Sequence, residues 1–166
     1  MTRTTLITGG AASGKSTEAC RLAGLCGRDV QFVATCVARD DEMRAKVRRH
    51  QEERPSYWST QERDRDVAGA LKQRHDASIV DCLTLLVSQM LVEGCGEKEI
   101  LTEVGSIFEK PSHPLFVVTN EVGLGIVPGD PLSRQFREIA GRANRLAAAQ
   151  ADEVILMVSG LPVRIK

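Results

Sequence analysis

Thr4-Thr5-Leu6-Ile7-Thr8-Gly9-Gly10-Ala11-Ala12-Ser13-Gly14-Lys15-Ser16 runs from a short apolar segment through a glycine-rich turn into a helical pattern. Residues 9–16 match G-x-x-x-x-G-K-[ST], the spacing that wraps backbone N–H groups around a chain of phosphates. Gly9, Gly10 and Gly14 permit the required turn, Ala11, Ala12 and Ser13 complete the cradle, and the helix that follows adds its N-terminal dipole. At that spacing Lys15 reaches the β- and γ-phosphates, and the Ser16 hydroxyl is placed to ligate Mg²⁺. A glycine-rich turn that merely packs a helix on a strand is the bland reading. The strand before and the helix after the motif argue against it.

Working outward, short aliphatic runs recur at 4–8, 30–35, 78–82, 115–119 and 154–158. Each is nearly continuous in apolar residues, as a parallel strand covered on both faces requires. Residues 15–25, 40–53, 63–74, 83–93, 97–109 and 132–150 between them read as helices. Alternating strands and helices predict an α/β fold: a mostly parallel sheet of about five strands flanked by helices, joined by right-handed crossovers. With no linker, repeat or low-complexity segment, residues 1–166 are expected to form one domain.

Composition narrows the function. The chain has 166 residues, 42% hydrophobic and only 4% aromatic, so its core must be aliphatic. The 22 Lys and Arg residues balance 22 Asp and Glu, which argues against a dedicated nucleic-acid binder. No apolar run approaches the roughly 20 residues that span a bilayer, and the N-terminal stretch lacks the pattern of a signal peptide. Five scattered cysteines with no Cys-x-x-Cys pair suggest a cytoplasmic protein whose cysteines are mostly small buried hydrophobes.

Three further features carry possible chemistry. Asp81 ends an apolar strand, where a second carboxylate near the metal is expected, although capping the next helix is an equally simple role. Residues 120–131 form a long glycine- and proline-rich loop after a core strand, at the sheet edge where ligands bind in open α/β folds. That loop begins Thr119-Asn120-Glu121-Val122 and lacks the Asn-Lys-x-Asp guanine-reading motif of signalling GTPases, so a transferase acting on a small molecule is favoured. Finally, Met43, Val47 and His50 share a helical face, with Arg44, Arg48, Arg49 and Arg54 around them. Spacing alone leaves two readings of His50: a core histidine, or a nucleophilic imidazole in a cationic patch.

The combination resembles one family. Thr8 to Ser16, Asp40-Asp41-Glu42-Met43 with His50, Arg54-Pro55, Trp58-Ser59-Thr60, Asp81-Cys82-Leu83-Thr84, Thr119 to Pro128 and Val158-Ser159-Gly160-Leu161-Pro162 are similar to the bifunctional adenosylcobinamide kinase/adenosylcobinamide-phosphate guanylyltransferase of cobalamin biosynthesis. The resemblance runs essentially end to end. It implies a P-loop NTPase-like fold and two reactions. ATP or GTP phosphorylates the aminopropanol hydroxyl of adenosylcobinamide, and GMP then passes from GTP to that phosphate.

The resemblance also assigns roles. His50 matches the histidine that is transiently guanylylated. Residues 9–16 would hold the triphosphate, and Thr35, Arg54 and Glu62 would contact the nucleotide, Glu62 by pairing with the guanine N1–H and amine. Asp81 would act at Mg²⁺ or the nucleotide. A homotrimer whose subunits share clefts is implied. The chain departs from the family in being short between 93 and 115 and in carrying Cys36-Val37-Ala38-Arg39. A monofunctional small-molecule kinase and a non-catalytic nucleotide-binding regulator are the alternatives; a labelled-GTP adduct on His50 and a phosphorylation assay separate them.

Overall fold

Five apolar strands sit next to one another because each needs cover on both faces. In the computed structural model, which describes residues 3–35, 54–109 and 111–166, the strands are Thr4–Gly9 (β1), Val30–Ala34 (β2), Ser59–Glu62 (β3), Ala77–Asp81 (β4), Leu115–Val118 (β5), Glu153–Val158 (β6) and Leu161–Arg164 (β7). The helices are Lys15–Cys26 (α1), Val67–Ala70 (α2), Leu83–Val92 (α3), Glu97–Ile107 (α4) and Pro131–Gln150 (α5). All strands join one sheet in the order β3-β2-β4-β5-β1-β6-β7. The first six run parallel; β7 returns antiparallel against β6.

The sheet divides the core in two. On one face α1 packs Ala19 and Ala23 against Ile7, Phe32, Ile79, Phe116 and Ile155. On the other, α2 to α5 cover Leu6, Val33, Val80 and Val117 with Leu86, Met90, Ile100, Val104 and Ile139 among others. Burying an aliphatic side chain of this size stabilises by roughly 1.5–3 kcal/mol, so the continuous apolar runs are what hold the sheet between its layers.

The expected α/β architecture is present, with a correction to the strand count. Seven strands stand among the described residues, not about five. β3 reads Ser-Thr-Gln-Glu and is largely exposed, so it shows no apolar run; it pairs only with β2, at the sheet edge. β7 is fully exposed and contains Pro162, which an edge strand tolerates. The helix expected over 63–74 shrinks to Val67–Ala70, where Asp66 accepts from the Gly69 N–H and only Val67 and Ala70 reach the core. The helix expected over 40–53, with His50, lies outside the described residues.

Cysteine burial also differs from expectation. Of the four described cysteines only Cys82 is buried; Cys26 is exposed, and Cys20 and Cys95 are half-buried. No helix is long and apolar enough to cross a membrane among the described residues.

At the chain's C-terminal end, the Lys166 ammonium donates to the carbonyls of Ala148 (3.1 Å), Ala149 (3.2 Å) and Ala151 (2.6 Å). A cation placed there satisfies carbonyls that α5 leaves unpaired and offsets the negative end of its dipole.

Candidate active site

The carboxyl ends of the parallel strands form one level. Glu62 pairs with Ala34, Ala34 with Asp81, Asp81 with Val118, and Val118 with Ile7. Glu62 and Asp81 therefore stand at the same height two strands apart, roughly 10 Å at ordinary strand spacing. The phosphate loop rises from β1 at the same edge.

The loop's backbone depends on its glycines. Gly9 has φ +149°, and a Cβ there would lie 2.5 Å from the Met157 carbonyl oxygen and 2.9 Å from Ser13 Oγ. Gly14 sits at φ +92° in the N-cap position of α1, and no side chain caps that helix. The N–H groups of its first turn thus remain for an anion. Ala12 also takes positive φ (54°), so the turn is strained at a residue with a Cβ.

Two distant segments hold this loop in place. The Glu121 N–H donates to the Gly9 carbonyl (3.0 Å), tying down the segment after β5. The Gly160 N–H donates to the Ser13 carbonyl (3.1 Å) from the β6–β7 hairpin. Ser159 (φ 52°) and Gly160 (φ 83°) form the two-residue turn of that hairpin, whose double positive φ matches the twist of its strands. Neither brace was evident from the sequence; the repeated glycines at 123, 125 and 160 were the available signal.

Lys15 is only 7% exposed. Its ammonium donates to the Gly10 carbonyl and lies 3.4 Å from Ser13 Oγ. Burial pushes the Lys15 amine below its usual value, and the nearby Asp81 carboxylate opposes that shift. Ser16 is half-buried in the first turn of α1. In that turn Glu18 takes two hydrogen bonds from Arg21, Nε to Oε2 and Nη2 to Oε1, both 2.7 Å.

Asp81 is half-buried at the end of β4. The N-cap position of α3 is Cys82, one residue on, without a side-chain hydrogen bond. The Cys82 thiol is pushed up to about 12, chiefly by burial and then by the Asp81 charge, so it stays protonated. Thr35 is fully buried, and its hydroxyl both donates to the Cys82 carbonyl (2.6 Å) and accepts from the Cys82 N–H (2.8 Å). It braces the segment after Asp81 rather than turning its hydroxyl to a ligand. Arg54 lies on the α1 face, its guanidinium carbon 3.2 Å from the centre of the buried Phe32 ring. Glu62 is exposed at the end of β3.

The structure thus gathers residues 9–16, Asp81 and Thr35 at one edge, with Glu62 at the same level on the outermost strand. A sequence model for cobinamide kinase / cobinamide phosphate guanyltransferase matches residues 5–165. The chain belongs to this family. Curated relatives match throughout: the bifunctional adenosylcobalamin biosynthesis protein CobU of Escherichia coli (strain K12) is 38% identical over 97% of this chain and 98% of its own length. Its namesake in Salmonella typhimurium is 39% identical over the same shares. The Pseudomonas aeruginosa protein CobP is 38% identical over 97% of this chain and 96% of its own.

Among solved structures, an ATPase of a bacterial type III secretion system superposes with a TM-score of 0.51 at 13% identity. The match covers 94% of this chain and 52% of that one, so the chain spans about half of its length. At that identity the likeness concerns the fold alone. The two segments bracing the phosphate loop are the same blocks, 119–128 and 158–162, that carry the family resemblance.

Proposed function

We propose that this chain phosphorylates adenosylcobinamide and then guanylylates the product, giving adenosylcobinamide-GDP. The observation carrying this reading is the phosphate loop held at Gly9 and Ser13 by the 119–128 and 158–162 blocks, in a chain that its bifunctional relatives match from end to end. A generic phosphate loop needs neither block.

In the kinase step, the backbone N–H groups of residues 9–16 and the uncapped start of α1 bind the triphosphate, and Lys15 places a positive charge against its β/γ oxygens. Lys15 is prepared for this: its ammonium is held in the loop by Gly10, and burial makes an anionic partner more favourable than water. Ser16 and Asp81 supply a hydroxyl and a carboxylate, hard oxygen donors of the kind Mg²⁺ prefers, and would hold it. Such an ion would supply charge neutralisation to the phosphate oxygens. The acceptor hydroxyl attacks the γ-phosphorus and releases its proton to solvent, the bond to the β-phosphate oxygen breaks, and ADP or GDP leaves.

For guanylyl transfer, an imidazole nitrogen of His50 attacks the α-phosphorus of GTP. Pyrophosphate leaves, and a phosphoramidate forms. A phosphate oxygen of adenosylcobinamide-phosphate then attacks the same phosphorus and the P–N bond breaks, returning the histidine. Two displacements replace one difficult transfer, and a neutral imidazole is nucleophilic near pH 7. Arg54 and Glu62 act on the nucleotide, with the Glu62 carboxylate accepting from the guanine N1–H and amine. The enzyme works as a homotrimer in the cytoplasm. Support for self-association comes from β7, an open sheet edge with exposed Leu161, Val163 and Ile165.

The test is a two-stage product assay. ATP with adenosylcobinamide should yield the phosphate, and added GTP should convert it to adenosylcobinamide-GDP with release of pyrophosphate. Phosphorylation without the second product would leave a monofunctional kinase.

A further inference from the structure

The loop that leaves β5 carries an apolar tip that the fold itself does not use. Leu124 is 89% exposed, Ile126 96% and Val127 62%, and none of residues 122–129 is charged. Apolar side chains grouped in water mark a contact surface.

The tip is held firmly. Arg137 donates to the carbonyls of Gly123 and Gly125 (3.2 Å for the latter), and Arg134 to those of Pro128 (3.1 Å) and Gly129 (2.7 Å). Asp130 accepts from the Ser133 N–H at 2.8 Å and closes the loop onto α5. Four carbonyls are thus tied back to α5 while the apolar side chains stay in solvent. At its root the loop hydrogen-bonds the phosphate loop through Glu121 and Gly9. The exposed surface begins at Leu124, three residues beyond this contact with the phosphate loop.

We propose that Leu124, Ile126 and Val127 form the shelf on which the corrin macrocycle of the phosphate acceptor rests. The inference rests on the kinase reading above. A nucleotide triphosphate is polar and is served by residues 9–16, so it gives these side chains no role. The acceptor must bring one hydroxyl to the γ-phosphate while its far larger ring lies outside the cleft. A corrin rim of methyl groups and neutral amides matches an uncharged apolar surface, whereas charged side chains would have to be desolvated against it. A second copy of this chain is the competing occupant, and the mass of the variants separates the two.

The experiment uses full-length protein with Leu124→Ser and Ile126→Ser, singly and combined. Binding of adenosylcobinamide is followed by equilibrium dialysis through its visible absorption, alongside nucleotide affinity, sedimentation mass and phosphorylation kinetics. The double variant is expected to bind the corrinoid at least tenfold more weakly, with nucleotide affinity within twofold of wild type and mass unchanged; Ile126→Val should retain binding. Unchanged corrinoid affinity overturns the shelf. So does a fall in mass, which would give the tip to a second copy, or a parallel loss of nucleotide affinity. Wild-type protein that binds the corrinoid through these residues without phosphorylating it would uphold the shelf and sink the kinase reading. Wild-type protein that binds no corrinoid overturns both.

Discussion

Asn144 on α5 accepts the Thr119 hydroxyl at 2.6 Å and donates its amide to the Asn120 carbonyl at 3.0 Å. The next residue, Glu121, bonds Gly9, so one helix side chain fixes the segment that fixes the phosphate loop. Thr84 extends the network, accepting from the Asn120 N–H (2.7 Å) and lying 3.2 Å from the Thr119 hydroxyl. Asn144→Leu keeps the branched shape but removes both of the Asn144 hydrogen bonds, and their loss should cost about 2 kcal/mol in urea unfolding. Nucleotide affinity should fall with stability. Unchanged affinity would show that the network serves the fold alone.

Lys15 combines the proposed phosphate-clamping role with an unfavourable burial. Lys15→Met should lower the kinase rate by roughly 10²–10³-fold at saturating nucleotide, the loss typical of one charge-stabilising donor. Because burial disfavours its charged form, the same variant should be at least as stable as wild type. Parallel rate and urea-melt measurements check the pair of outcomes.

Gly9 tests the loop geometry from the opposite direction. Gly9→Ala places a methyl group against the Met157 carbonyl at a backbone angle that side chains rarely adopt. A loss of roughly 2 kcal/mol or more is expected, since neither the sheet nor the turn can yield cheaply. Gly10 has nothing within 4 Å of such a methyl, so Gly10→Ala should be near neutral in stability.

A pH dependence of stability should come from the other end of the sheet. His113 is buried before β5 and hydrogen-bonds Ser78 (2.6 Å) and Ser112 (3.0 Å), while Ser78 donates to Gln31 (3.1 Å). Burial lowers its pKa, His75 and Arg74 lower it further, and Asp29 opposes them. The folded state therefore binds the His113 proton more weakly than the unfolded chain does. Its contribution is fully present above the unfolded value near 6.5 and is lost as pH falls from there toward the folded value. Urea midpoints between pH 7.5 and pH 5 should decline, and His113→Gln should flatten that decline.

What the sequence made legible follows from where its information is local. The phosphate loop, the five apolar strands and α1, α3, α4 and α5 are each written in one contiguous run. β3 and β7 were hidden because edge strands need no apolar cover: Ser59–Glu62 is polar, and Leu161–Arg164 is short and holds a proline. The expected helix at 63–74 failed because apolar spacing there was not matched by core to cover. The bonds between the Thr35 hydroxyl and Cys82 join residues 47 apart in the chain, which no local pattern announces. The Asn144–Thr119 and Gly160–Ser13 pairs join distant residues of ordinary type, and only the folded chain brings them together.

The most direct test of the two-reaction account is covalent labelling. Protein incubated with α-³²P-GTP and Mg²⁺, then denatured, should carry an acid-labile, base-stable label that His50→Ala abolishes and adenosylcobinamide-phosphate discharges. Wild-type protein that takes no label, or His50→Ala protein that labels equally, would contradict it.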